Sequence, residues 1–156
     1  MKYPKNKLLL FSEDKEGILS KKCEKVAVFD SNLEEFTRHM FEVMEKHHGI
    51  GLAANQVGVA KQIFVIKVGF YKEVFINASY EGVKLKKNLI LSTEGCLSFS
   101  DQYKSIQRFD EIKVSYQDLR GKQQSSVFSD VVSVCFQHEW DHGQGIHFEN
   151  RRIVPK

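Results

Sequence analysis

The alternation of apolar and polar positions divides the chain into an amphipathic helix, several strands and a second helix near the C-terminus. From Ser31 onward a run of residues resembles a helix capping box, and apolar side chains then recur at helical spacing until Gly49. These core-facing positions are Leu33, Phe36, Met40, Val43, Met44 and His47. The pattern predicts a helix that packs one face against the core.

Strand patterns follow this helix. Residues 62–68 and 73–77 are rich in β-branched and aromatic side chains, which favours strands. Residues 111–116 and 125–128 have the same character and flank a turn sequence that ends in Gly121. We therefore predict a β-hairpin there.

The last predicted element begins at Ser129 or Asp130, either of which could cap a helix. Gly143 and Gly145 would end it. One stripe of this helix holds Val131, Cys135, His138 and His142. The β-branched residues after Asp130 also allow a strand, and that alternative stays open. Strands followed by a helix, without regular βαβ alternation, predict an α+β fold: antiparallel β-sheets packed around a central motif-bearing helix, with one N-terminal amphipathic helix.

Length and composition favour one domain, residues 1–156, in a reducing compartment. The chain has 156 residues, 42% of them apolar, which can form one sizeable core. Its net charge of +3 comes from scattered basic residues, so we predict no specific nucleic-acid partner. Three cysteines, an odd number, argue against a secreted disulfide scaffold and for the cytoplasm. The sequence shows no signal, transit or membrane-spanning pattern, so no membrane partner is expected.

Residues 138–142 read His-Glu-x-x-His, a pattern that places two imidazoles on one face of a helix. His138 and His142 could then bind one metal ion, and Glu139 beside them could handle protons. Metal-assisted hydrolysis is the first hypothesis. The alternative is a solvated helix that carries two unrelated histidines and an acid.

A catalytic metal site normally has three protein ligands, so a third must come from elsewhere in the chain. Cys135 lies roughly 10 Å from His142 along the helix axis, so we interpret it as a buried apolar residue. Cys96 follows Gly95 in a segment that we interpret as a loop free to fold over the helix. Cys96 is therefore the third ligand that we favour, and a packed thiol is the alternative.

Three separated segments resemble the peptide deformylase family. The family motif Gly-x-Gly-Leu-Ala-Ala-x-Gln stands at 49–56, Glu-Gly-Cys-Leu-Ser at 94–98 and Gln-His-Glu-x-Asp-His at 137–142. Each motif alone could be accidental, but all three in the family's order are a specific signal. The resemblance implies a metal-dependent hydrolase that removes the N-formyl group from the N-terminal formylmethionine of nascent peptides and releases formate.

Carried over residue by residue, the resemblance implies a role for each motif position. The metal ligands would be Cys96, His138 and His142. Glu139 would accept a proton from water and pass it to the departing amine, while the Gln56 amide and the Leu97 backbone N–H would stabilise the oxyanion. Backbone groups would pair with an extended peptide at Ile50, Gly51 and Gly95. An apolar pocket for the methionine side chain would be shaped by Val131, Val134 and Cys135.

Other polar residues near the motifs receive expectations as well. In the family's pattern, charged groups such as Glu94, Arg108 and Asp141 brace the site, so we predict a buried or partly buried network among them. Asn55 receives no role. Lone histidines without function are expected on or near the surface at His39, His47, His48 and His147.

The resemblance also implies one divalent ion as cofactor. A thiolate with two imidazoles suits zinc or iron(II); the family favours iron, with zinc or nickel as alternatives in the isolated protein. Phe99-Ser100 stands where the family has an apolar residue and a proline, so we expect a less rigid loop after Cys96. The tail 151–156 is short and contains Pro155, so it cannot supply the C-terminal helix that many bacterial members dock on the ribosome. Ribosome contact by another route stays open.

Two alternative hypotheses for the function remain open. One is a metalloprotease of the His-Glu-x-x-His type, which usually takes a histidine or glutamate as third ligand, so metal bound by Cys96 would separate the two enzymes. The other is a non-catalytic module that binds metal or formylated peptides. Glu139 and Gln56 argue against the module, because a structural site needs neither a general base nor an oxyanion donor.

Overall fold

The computed structural model describes residues 2–83 and 88–150. In chain order its helices and strands are α1 (Ser31–Lys46), β1 (Gly51–Ala53), β2 (Ile63–Val68), β3 (Tyr71–Gly82), β4 (Leu89–Cys96), β5 (Phe99–Phe109), β6 (Glu111–Gln117), β7 (Gln123–Ser129) and α2 (Asp130–Gly143). Short 3-10 helices lie at Phe11–Glu13, Ile18–Ser20 and Ala54–Val57. This is the predicted α+β architecture with antiparallel sheets.

Helix α1 begins one residue earlier than a capping box at Ser31 would require. The N-cap is Asp30, whose carboxylate accepts hydrogen bonds from the backbone N–H groups of Asn32 and Leu33. The predicted apolar stripe is buried as far as Met44. His47 is the exposed C-cap residue and does not belong to that stripe.

Most strands form one five-stranded antiparallel sheet in the order β1-β2-β3-β6-β7. The predicted hairpin is confirmed as β6 and β7, with Glu111 opposite Ser129. β4 and β5 form a separate two-stranded hairpin. Within the described ranges, β1 and β4 each pair with one strand only, so each keeps an open edge.

The five-stranded sheet lies between the two α-helices. On β2, Ile63 and Val65 pack into the core cluster that contains the apolar face of α1. Phe64 and Ile66 point to the other face and pack against Phe136 of α2. Because β2 is covered on both faces, its sequence is a nearly continuous apolar run and does not alternate between apolar and polar residues. The helix interpretation of the segment after Ser129 is confirmed, and the strand alternative is wrong.

The segment around Cys96 differs from the prediction. It is the end of β4 and not a loop, and β5 begins at Phe99 after a two-residue turn. Phe99 is buried with Ile106 and Phe148, and this packing opposes the expected loosening of the chain after Cys96. An aromatic side chain anchors this turn by packing, where a proline would have restricted the backbone.

Two further expectations concern the C-terminal tail and membrane-spanning helices. The prediction for the tail 151–156 falls outside the described residues. Among the helices that the structure describes, none has both the length and the apolar character needed to cross a membrane.

Candidate active site

Three side chains from two distant elements meet at the centre of the molecule. His138 and His142, one turn apart on α2, place their Nε2 atoms 3.3 Å from each other. The Cys96 Sγ atom, at the end of β4, lies 3.4 Å from Nε2 of His142. The three donor atoms all lie within 4.8 Å of one another. A tetrahedral ion with ordinary zinc–ligand bonds needs about 3.3 Å between two nitrogens and about 3.6 Å between sulfur and nitrogen, so this donor set fits one ion.

The His138 ring is held in the orientation that metal binding requires. Nδ1 of His138 lies 2.9 Å from Oε1 of Glu94, which leaves Nε2 facing Cys96 and His142. Burial lowers the pKa of His138, but hydrogen bonds with Cys96 and Glu94 outweigh burial and raise it to about 10 when no ion is bound. Burial lowers the pKa of His142 well below its usual value, so that ring stays neutral, the form that binds metals.

The predicted charged network is present and buried. Arg108, only 2% exposed, donates to both carboxylate oxygens of Glu94 at 2.8 Å and to Asp141 at 2.6 Å. Although burial raises the pKa of Glu94, the hydrogen bonds from Arg108 and His138 hold it at about 2. Glu94 therefore stays ionised and can accept from His138.

Glu139 is buried beside the histidines, yet its Oε2 atom has no hydrogen-bond partner among the described residues. Burial raises the pKa of this carboxyl to about 7, although the nearby His138 opposes the shift. β1 runs very close to it: a Cβ added to Gly51 would lie 2.8 Å from Glu139 Oε1 and 2.7 Å from Cys135 Sγ. Glycine at position 51 is what allows the strand to approach the carboxyl.

The Gln56 amide is also buried and has a fixed orientation. Its Oε1 atom accepts from the Ala53 N–H at 2.9 Å, and its Nε2 atom donates to the Ser98 hydroxyl at 3.1 Å. The same Nε2 atom lies 3.7 Å from the Cys96 sulfur. The Ser98 hydroxyl in turn donates to the Leu9 carbonyl at 2.7 Å. These contacts leave the second N–H of the amide facing the Cys96 sulfur.

A cleft of about 930 Å³ opens over these groups. The sequence-predicted positions that line it are Ile50, Gly51, Gln56, Gly95, Cys96, Leu97, Val131, Val134, Cys135, His138 and Glu139. His142 lies beneath the cleft and is almost fully buried. The structure therefore brings the predicted catalytic, substrate-binding and metal-binding positions to one place.

Two residues near the site differ from the expectation for them. Asn55, which received no role, is fully buried, and its Nδ2 atom donates to the His142 carbonyl at 2.8 Å. His147, expected on or near the surface, is buried: its Nε2 atom lies 2.7 Å from the Ser20 hydroxyl, and its ring contacts Phe11 and Phe99. The signal for Asn55 was its polarity within an otherwise apolar stretch. For His147 no local signal existed, since its partner lies 127 residues away.

Comparison with known proteins places these motifs in a family. The family model described as Polypeptide deformylase matches residues 7–155. A peptide deformylase from Thermotoga petrophila is 37% identical over 129 residues, which cover 83% of this chain and 77% of that protein. One from Helicobacter hepaticus is 34% identical and covers 100% of this chain and 91% of its own length.

Solved structures agree with the sequence matches. The crystal structure of peptide deformylase from Thermotoga maritima has a TM-score of 0.86 and 33% identity, and the match covers 98% of this chain and 100% of that one. A peptide deformylase from Synechococcus elongatus, solved in complex with actinonin, has a TM-score of 0.84 and covers 97% of this chain and 80% of its own. The chain thus belongs to the polypeptide deformylase family, whose reaction is the metal-dependent removal of the N-formyl group from nascent peptides.

Proposed function

We propose that this chain hydrolyses formylmethionyl peptides with Cys96, His138 and His142 as ligands of one divalent ion, iron(II) in the cell. The observation that carries the proposal is the convergence of the three donor atoms within 4.8 Å of one another. A thiolate with two imidazoles suits iron(II) as well as zinc or nickel, and the family resemblance is the reason for choosing iron. The ion, when bound, lowers the pKa of water and polarises the formyl carbonyl.

Glu139 is the proton carrier of the proposed mechanism. Its unpartnered Oε2 atom accepts a proton from the attacking water and then delivers it to the amine nitrogen of the departing peptide. In the metal-free chain, burial raises the pKa of this carboxyl, and burial thereby favours the protonated form that returns the proton to the amine. No structural contact of Oε2 within the described chain has to break for this transfer.

The oxyanion that forms from the formyl group is stabilised by Gln56 and Leu97. The Gln56 amide cannot rotate freely, because the Ala53 N–H holds its oxygen and the Ser98 hydroxyl accepts from its nitrogen. Preorganised donors of this kind need no rearrangement as negative charge develops. The Leu97 backbone N–H, one residue after Cys96 in the turn between β4 and β5, is the second donor.

The peptide substrate docks as an added strand between the open edges of β1 and β4. The Ile50 carbonyl accepts from the Lys67 N–H at 2.8 Å and so faces β2. Because backbone groups alternate along a strand, those of Gly51 face the cleft, which Gly95 on β4 also lines. The methionine side chain enters the pocket of Val131, Val134 and Cys135, which α2 presents to the cleft.

The competing enzyme class is disfavoured by the third donor. A metalloprotease with the same helix motif would be expected to place a histidine or glutamate at the two rings, and here a cysteine sulfur occupies that position. The unpartnered Oε2 atom of Glu139 and the oriented Gln56 amide also disfavour a non-catalytic module. The family match agrees with both arguments.

The setting of the reaction follows from its substrate and its thiols. Nascent formylated peptides and three unpaired cysteines both favour the cytoplasm. A metal site that includes the Cys96 sulfur needs that thiol reduced.

The test is formate release from a formyl-Met-Ala-Ser peptide by protein reconstituted without oxygen with iron(II), nickel or zinc. We expect turnover that a chelator abolishes, and none on the acetylated peptide. Glu139→Gln should bind the same amount of metal but turn over about 10²- to 10⁴-fold more slowly. Glu42→Gln, at an exposed position on α1, is the matched control and should behave as wild type. Full turnover by Glu139→Gln would contradict the mechanism.

A further inference from the structure

Tyr103 is a large aromatic side chain that lines the cleft and has no role so far. It is 76% exposed and lies on β5, where the register places it opposite Gly95 of β4. A Cβ added to Gly95 would lie 3.0 Å from Tyr103 Cε1. The ring therefore leans across the backbone of Gly95, in the direction of the open edge of β4.

The two faces of the β4–β5 hairpin have different surroundings. The Glu94 side chain contacts His138, so the face that carries Glu94 points toward α2. Gly95 follows Glu94 and points the opposite way, and its cross-strand partner Tyr103 shares that outer face. The outer face carries no charged side chain over the paired positions Leu91, Thr93, Gly95, Tyr103, Ser105 and Gln107.

A peptide on the open edge of β4 would present its side chains alternately to these two faces. This step rests on the proposed function, in which the first side chain enters the pocket formed by α2. The second side chain then points outward, on the side of Tyr103. Neighbouring strands lie about 4.8 Å apart, and the ring already spans the gap from β5 to β4, so it reaches a side chain on the next strand.

We propose that Tyr103 determines specificity for the second residue of the substrate, because its ring contacts that side chain. Apolar and aromatic second residues are favoured, since they bury area against the ring and the uncharged outer face. An acidic second residue gains no such contact and meets the like charge of Asp101, which also lines the cleft. Leu91 lies about 13 Å from Gly95 along β4, too far to share the contact.

The experiment compares kcat/KM for three peptides, formyl-Met-Phe, formyl-Met-Ala and formyl-Met-Asp amides, in wild type, Tyr103→Ala and Tyr103→Phe. We expect wild type to prefer the Phe peptide. Tyr103→Ala should lower the Phe:Ala ratio of kcat/KM by about three- to tenfold, mainly through KM, because only the contact with the second residue is lost. Tyr103→Phe should keep the preference, since it retains the ring.

Phe70→Ala is the control, because Phe70 is a fully exposed aromatic residue outside the cleft and its removal should leave all three values unchanged. An unchanged Phe:Ala ratio in Tyr103→Ala, or an equal loss on all three peptides, would overturn the proposal. If the wild-type protein releases no formate from any of the three peptides, the proposed function itself is overturned. That outcome is distinct, because the wild-type protein alone shows it.

Discussion

His138 and Glu139 are neighbours on α2 with different surroundings. Nδ1 of His138 lies 2.9 Å from Glu94, which fixes the ring. Oε2 of Glu139 has no partner within the described residues, so this carboxyl is not fixed by that atom. A ligand must be held in one orientation and a proton carrier must be able to change its protonation state, so the two environments suit the two roles.

The pKa of Glu139 predicts how the metal-free protein responds to pH. In the folded chain this pKa is about 7, against an ordinary value of 4.5. A raised carboxyl pKa means that the folded state binds the proton more tightly, so its contribution to stability is full below pH 4.5 and is lost as the pH rises through 7. Glu139→Gln should therefore be more stable than wild type at pH 8, by about 3 kcal/mol or less, and similar to it near pH 5.

Urea unfolding of both chelator-treated proteins at several pH values would measure this difference. Glu42→Gln, which changes an exposed carboxylate, should track the wild-type protein at every pH. A difference between Glu139→Gln and wild type that does not grow with pH would show that Glu139 is not the titrating group.

At the residue scale, the sequence predicts those contacts that are made by residues only a few positions apart in the chain. His138 and His142 meet because four residues make about one helical turn, and this holds wherever the helix lies. Asn55 could not be placed in the same way, since it contacts the His142 carbonyl across 87 residues of sequence. Such contacts depend on the tertiary fold and leave no periodic signal along the chain.

At the element scale, Arg108 joins the β4–β5 hairpin to α2. It lies on β5, pairs with Glu94 on β4 and reaches Asp141 on α2. The hairpin carries Cys96 and the helix carries the two histidines, so this ion-pair network links the elements that hold the proposed sulfur and nitrogen ligands. The Arg108 guanidinium pairs with both the Glu94 and the Asp141 carboxylate. Both carboxylates stay shielded from water while α2 packs against the hairpin.

Arg108→Met should destabilise the protein by about 3–5 kcal/mol, because it removes the cation from two buried carboxylates. Urea unfolding would measure the loss, and metal affinity should fall with it as the hairpin shifts against the helix. Arg38→Met, at an exposed position on α1, should change stability by less than about 0.5 kcal/mol. Equal stabilities of the two variants would show that the network contributes nothing net.

The sequence predicts well those elements that have at least one apolar, buried face. α1, α2 and the β6–β7 hairpin have strong periodicity or a clear turn sequence. β4 and β5 were missed because their outer face is exposed and their inner face holds charged residues such as Glu94 and Arg108. Polar side chains on both faces of a hairpin hide the period-two pattern on which strand prediction depends.

At the scale of the whole molecule, the three proposed ligands come from parts of the fold that belong to different sheets and cores. Cys96 comes from the two-stranded hairpin, while the histidines come from the helix that packs on the five-stranded sheet. An ion bound to all three therefore adds a connection between these layers. Since the unfolded chain has no preformed site, binding contributes directly to stability.

Removal of the ion should lower the melting temperature of the protein. At a free ion concentration of 100 times Kd, the expected loss of stability on chelation is about 2.7 kcal/mol. Calorimetry with and without chelator would measure it, and Cys96→Ser should show a smaller difference because it lacks the sulfur ligand. Superimposable melting curves for the wild-type protein in both conditions would contradict a bound ion at these residues.

The unequal burial of the three thiols gives the protein a built-in chemical reporter. Burial raises the pKa of Cys23 to about 11 and that of Cys135 well above its usual value, so both stay protonated and unreactive. Cys96 lines the cleft and is half-buried, whereas Cys23 and Cys135 are buried. An alkylating reagent such as iodoacetamide should therefore modify at most one sulfur per native chain, that of Cys96. The modified fraction in a mass spectrum should then count the molecules that carry no ion.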